Sequence, residues 1–425
     1  MKKDNAQYKS YLKVLREELV PAMGCTEPIS IAYAAAKAME LLGKLPEQCR
    51  IEVSGNIIKN VKSVVVPNTN GLKGIEASVA AGIIAGDASK KLEVLSNITK
   101  EMKPKIREYL LSHPIAVVPA DNDMIFYIDI ILQNGDQWSE VIIEGYHTNI
   151  TQMKLNGKVL FQAERTENPD NNFSNQGLLN IKDIVEFANI ADIEDFREPI
   201  GRQIAYNSTI SEEGLKHNWG ANVGKTILKT YGTNIAMRAK AAAAAGSDAR
   251  MGGCEKPVII VSGSGNQGIT AVLPVIEYAK ELNVSEDKLY RAVALSDLVT
   301  IYQKTGIGRL SAFCGAVCAG CGSGAGIAYL HGGGYKEIAH TIVNALAIVS
   351  GIVCDGAKPS CAAKIAASVD AGILGYEMYK NGQQFRSGDG IVTKGVDNTI
   401  SNVGRMAREG MKSTDKEILK IMTGH

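Results

Sequence analysis

Five cysteines fall close together in the last third of this 425-residue chain: Cys314, Cys318 and Cys321 in a CxxxCxxC spacing, then Cys354 and Cys361 on either side of Asp355-Gly356-Ala357-Lys358-Pro359-Ser360. Thiolates in this number select zinc or iron–sulfur clusters. Glycine and proline between Cys354 and Cys361 predict a loop that can curl around such a centre. Structural zinc is one rival use, although the paired CxxC spacings of zinc ribbons are missing. Inert cysteines packed as small hydrophobes are another. CxxxCxxC is also the spacing of radical enzymes that use S-adenosylmethionine, but there it comes early, after the first strand of a βα barrel. Here it comes late, in glycine-rich helical sequence.

Cys25 stands alone near the other end, just ahead of Thr26-Glu27-Pro28. Thr26 reads as a helix N-cap and Pro28 suits the first turn. At such a helix start the macrodipole is expected to lower a thiol from about 8.5 to roughly 3.5–7.5, making Cys25 a candidate base or nucleophile. The plainer alternative is a buried cysteine at a helix entry. Cys49 and Cys254 read as non-ligands.

A third feature is Gly263-Ser264-Gly265-Asn266-Gln267-Gly268 after the apolar run Pro257–Ser262. It satisfies GxGxxG, but a dinucleotide fold needs a second parallel strand ending in an acidic residue about twenty positions on. Ser285-Glu286-Asp287 reads there as a capped helix start instead. Free N–H groups at a helix start favour any anion, so Ser264, Gly265, Asn266 and Gln267 are candidates to hold an amino-acid carboxylate. The alternative is a structural turn facing water. Glu27, Asn68, His147 and Lys304 are further candidates to orient a substrate amine and carboxylate, each otherwise a surface or capping residue. The polar segment 394–399 either closes the site or joins two helices.

The elements that must position these residues are of two kinds. Residues 5–43 predict two helices punctuated at Pro21-Ala22-Met23-Gly24. Alternating sequence follows at Arg50–Val66, then helices near 71–96 and 100–112, then strands near 115–119, 124–133, 138–146 and 150–162. After a polar loop at 167–172, helices are expected from about 178 almost to the end, rich in small residues that allow close approach. The expected class is α+β: a mixed α/β N-terminal part, residues 1–195, carrying Cys25, and a predominantly helical C-terminal catalytic domain, residues 196–425.

Bulk composition fits a folded protein, with 45% hydrophobic and 21% charged residues. Forty-six basic residues against forty-five acidic, with no run of like charge, argue against a nucleic-acid partner. A charged N-terminus without an apolar h-region and the shortness of the apolar runs argue against a signal peptide and against a membrane. A cytoplasmic location is expected, where eight cysteines serve metal binding and catalysis rather than disulfides.

Three segments together carry a resemblance: Pro21-Ala22-Met23-Gly24-Cys25-Thr26-Glu27-Pro28, Ser262-Gly263-Ser264-Gly265-Asn266-Gln267-Gly268, and Cys354 through Cys361. Across nearly its whole length the chain resembles the L-cysteine desulfidases, whose C-terminal region is related to the α-chain of iron–sulfur L-serine dehydratases. The resemblance implies a [4Fe-4S] cluster on Cys314, Cys354 and Cys361, with Cys318 or Cys321 able to replace Cys314, and Cys25 as catalytic base. It implies L-cysteine as small-molecule substrate, split to hydrogen sulfide, pyruvate and ammonia, and a homodimer. The competing expectations are an L-serine dehydratase and, from another class, a zinc-stabilised protein that binds a small anion.

Overall fold

The structure is a computed structural model that describes residue 3, residues 5–163 and residues 176–424. The polar loop expected at 167–172 lies outside these. Eight strands are present among the described residues: β1 (Pro21–Met23), β2 (Gln48–Val53), β3 (Ile115–Pro119), β4 (Tyr127–Asn134), β5 (Gln137–Glu144), β6 (Ile150–Leu155), β7 (Lys158–Gln162) and β8 (Pro257–Ile259). Six of them form one sheet in the order β3-β2-β4-β5-β6-β7, with only β2 and β3 parallel. Alternation puts Ile51, Val53, Ile128, Ile130, Val141 and Ile143 on one buried face. The Thr26–Leu42 helix packs on that face, and Ser139 Oγ donates to its Ala38 carbonyl at 2.7 Å.

The rest is helical, so the chain has the expected α+β fold. Gly315–Leu330 is the central helix, packed against Gly265–Glu281, Glu286–Ile307, Tyr335–Ile348 and Cys361–Lys380. Its small residues set the spacing: a Cβ at Gly320 would stand 2.3 Å from Ser368 O, and one at Gly322 would stand 2.3 Å from Thr300 Oγ1. One continuous hydrophobic core runs from Tyr8 to Ala407 and joins the sheet to the helices. Among the described residues no helix is long and apolar enough to cross a membrane.

Three local expectations need correction. The alternating run expected to Val66 ends as a strand at Val53, and Gly55–Val61 is a helix, because Ile57 and Val61 bury together at helical spacing. The segment 150–162 is a hairpin, β6 and β7, turning at Asn156 and Gly157 with φ of 49° and 81°, the geometry of a tight two-residue turn. Finally, Cys25 rather than Thr26 is the N-cap of the Thr26–Leu42 helix, and no side chain caps it.

β1 and β8 make a separate antiparallel ribbon with Pro21 opposite Ile259 and Met23 opposite Pro257. Among the described residues β8 has no parallel neighbour. The GxGxxG spacing therefore does not sit in a dinucleotide-binding unit, as its surroundings in sequence indicate.

Candidate active site

The β1–β8 ribbon delivers two segments to one place. β1 leads through Gly24 to Cys25, and β8 leads to a tight turn in which Val261 and Ser264 exchange N–H···O bonds of 3.1 Å. Ser262 and Gly263 occupy positive φ there, 48° and 79°, which suits glycine and strains serine. The Gly265–Glu281 helix starts directly afterwards with no side-chain cap, leaving its first-turn N–H groups without intrahelical partners.

The C-terminal cysteines arrive by a second pairing. Phe313 and Val353 form an isolated antiparallel bridge, flanked by Cys314 N–H to Ile352 O at 2.8 Å and Cys354 N–H to Ala312 O at 2.7 Å. Cys314 and Cys354 are thus side by side: the Cys314 thiol donates to Cys354, drawing Cys354 down against its burial, with Lys59 adding to the effect, and raising Cys314 in turn. Cys361 opens the Cys361–Lys380 helix with Sγ 3.7 Å from Gly356 O, and burial raises its thiol.

These segments line a cavity of about 100 Å³. Cys25 lines it together with Cys314, Cys354 and Cys361, and so do Glu27, His147, Ser264, Asn266, Gln267 and Lys304. Most of the residues singled out in the sequence therefore meet. Cys318 and Cys321 do not; they lie inside the Gly315–Leu330 helix, where burial pushes Cys318 up to about 11 and Cys321 well above its ordinary value. Gly265 sits behind the lining, under the Arg250 guanidinium.

Asn68 is not on the cavity. Its carboxamide donates to Leu95 O at 3.1 Å and Ile98 O at 3.4 Å, holding a turn whose Pro67 packs beneath Gly24. The 394–399 segment does not line the cavity either; Asp397 accepts from Ile181 N–H at 3.0 Å, fixing a helix start.

The state of Cys25 differs from the expectation of a depressed thiol. Its Sγ–H donates to Glu27 Oε2 at 3.0 Å. Burial, then the Glu27 charge, push the thiol well above its ordinary value, with Arg250 opposing them. A neutral resting thiol follows, because desolvation and an adjacent carboxylate both disfavour a second negative charge. Burial by itself would raise Glu27, but the His147 imidazole and the Cys25 thiol bring its carboxyl down to about 2. His147 Nε2 lies 3.7 Å from Glu27 Oε1, beyond hydrogen-bond length, and has no hydrogen-bond partner. Thr26 Oγ1 stands 3.1 Å from Glu27 Oε2 and 3.0 Å from Gly263 O, tying the helix start to the turn.

Lys304 is buried against the cysteine wall and donates to Arg309 O at 3.2 Å; burial lowers its ammonium, while Cys318, Cys354 and Cys314 act the other way. Arg250, Arg309 and Asn60 also line the cavity, and sequence reasoning missed all three. Arg250 ends the alanine-rich Ile235–Met251 helix, where a cation ordinarily reads as a partner for the last carbonyls.

An iron–sulfur cluster fits the donor set: three thiols share one wall, with Lys59 and Lys364 beside Cys354 to offset thiolate charge. Among the described residues no group of three His, Cys, Asp or Glu side chains is placed to hold a metal ion.

The Cys25 thiol and the Glu27 carboxylate line one cavity with Cys314, Cys354 and Cys361, and comparison with known proteins points to a lyase-type enzyme. The chain belongs to the serine dehydratase alpha chain family, whose sequence model matches residues 89–420. It is 61% identical over 422 residues to a UPF0597 protein of Desulfitobacterium hafniense, covering 99% of this chain and 98% of that one. UPF0597 proteins of Lachnoclostridium phytofermentans and Treponema denticola are 50% and 45% identical over 415 and 429 residues, covering at least 98% of this chain and 99% of each relative. Cys25 precedes the family match but lies within the span shared with these relatives. The family is generally iron–sulfur dependent.

Proposed function

We propose that this protein is a pyridoxal-independent L-cysteine desulfidase, a carbon–sulfur lyase that forms hydrogen sulfide, pyruvate and ammonia. The observation that carries this reading is the meeting of Cys25 with Cys314, Cys354 and Cys361 around one cavity. Cys314, Cys354 and Cys361 would hold a [4Fe-4S] cluster, which when bound would supply Lewis acidity for the departing sulfur.

The chain's own residues do the proton chemistry. Cys25 Sγ takes the substrate α-proton once its own proton has been lost to solvent, and Glu27 Oε2, which accepts from the thiol at 3.0 Å, holds the sulfur in position. The resting thiol means that turnover rises with pH. Ser264, Asn266 and Gln267 orient the substrate at the helix start, where Asn266 Oδ1 and Gln267 Oε1 are buried without protein partners and can accept from an ammonium group. Lys304 places a cation on the cysteine wall. Loss of the α-proton and of hydrosulfide leaves aminoacrylate, which tautomerises and is hydrolysed by water to pyruvate and ammonia.

The family match favours one rival, loss of hydroxide from L-serine at the same site. Anaerobically prepared protein given each amino acid separates the two. Sulfide and pyruvate in equal amounts from L-cysteine, with L-serine slower, is the expected result; pyruvate from L-serine without sulfide from L-cysteine would replace desulfidase by dehydratase.

A further inference from the structure

Arg250 is 3% exposed and reaches the cavity from the end of the Ile235–Met251 helix. Its Nε is buried without a hydrogen-bond partner, and among the described residues no carboxylate pairs with its guanidinium. Burying a guanidinium in that condition is costly because the charge loses its hydration, so such a group is retained where an anion completes it. The acidic residue on the lining, Glu27, is already engaged by Cys25 and His147, and Arg309 is already paired with Glu18 at 3.0 Å.

The geometry around Arg250 has a donor surface beside it. A Cβ at residue 265 would lie 2.4 Å from Arg250 Nε and 2.8 Å from its Cζ, so only glycine lets the guanidinium lie against the uncapped start of the Gly265–Glu281 helix. A planar fork of N–H donors next to free backbone N–H groups is suited to a planar, two-oxygen anion. Cys25 and Cys361 both lie within the electrostatic reach of this arginine, which puts the anion between the proton-handling end and the thiol wall.

We infer that Arg250 binds the α-carboxylate of the substrate, making the site selective for small α-amino acids over the corresponding amines and amides. This rests on the lyase reading for the identity of the substrate, but its test does not need turnover. In anaerobically prepared protein, alkylation of Cys25 by iodoacetamide is followed by mass spectrometry of its peptide, with L-alanine or alaninamide present. L-Alanine is expected to slow alkylation of the wild type, and alaninamide at the same concentration is not. Arg250→Gln is expected to need roughly tenfold to hundredfold more L-alanine for equal protection, with Arg250→Lys between, as for loss of a charged hydrogen-bonded pair.

Equal protection by the two ligands, no protection by either, or unchanged protection in Arg250→Gln overturns the assignment. If Arg250→Gln does not fold, the two ligands on the wild type decide. Arg250-dependent protection without any sulfide from L-cysteine would remove the desulfidase reading and leave this one standing.

Discussion

Cys25 shows how a residue's chemistry is set by what it faces. Its type and its place before a helix are plain in the sequence, but its charge state depends on its burial and on the carboxylate beside it. Burial and the Glu27 carboxylate outweigh the helix start, so a position that ordinarily acidifies a thiol here holds a neutral one. Removing the Glu27 charge must therefore lower the thiol. Glu27→Gln is expected to shift the pH midpoint of Cys25 alkylation downward from a wild-type value above the ordinary thiol range; an unchanged or higher midpoint would show that Glu27 does not set it. Arg250 was hidden for a related reason. An arginine after an alanine run looks like a helix-end cation, and only the fold reveals that it turns inward.

At the level of elements, hydrophobic period gave the sheet and most of the helices, and erred where two periods share residues. Ile57 and Val61 fit both an alternating and a four-residue spacing, and tertiary packing chose the helix. The helices also bury polar groups that no periodicity announces. Asp297, within Glu286–Ile307, is pushed up to about 8 by burial, partly offset by Gln203 Nε2 donating at 3.0 Å. Its folded form keeps a proton that the unfolded chain loses above about 4, so stability falls as pH rises from there to about 8, by about 1.4 kcal/mol per unit and a few kcal/mol in all. Asp297→Asn keeps an acceptor for Gln203 and removes this cost. Urea unfolding between pH 5 and pH 8 should show the wild type losing stability more steeply than the variant, which is the more stable at pH 8; parallel curves would contradict the assignment.

For the molecule as a whole, the site is a product of long-range pairing. The sequence supplies candidate thiols at both ends, but nothing in it shows that β1 pairs with β8 or that Phe313 meets Val353. The first sets Cys25 beside the 262–264 turn and the second sets Cys314 beside Cys354, all lining one cavity, while Cys318 and Cys321 stay inside a helix. The C-terminal helix Lys412–Thr423 braces the same region from outside: Asp415 pairs with buried Lys59, whose backbone carbonyl lies against Gly356 in the cysteine loop. The arrangement assigns different work to the two ends of the cavity, and a pair of variants measured together separates them. Iron content and sulfide release from L-cysteine should be compared for anaerobically prepared wild type, Cys25→Ala and Cys361→Ala. Cys25→Ala is expected to keep wild-type iron and lose about a hundredfold or more of its turnover, as when a proton-transfer group is removed, while Cys361→Ala loses both. Full iron in Cys361→Ala, or undiminished sulfide from Cys25→Ala, would contradict it.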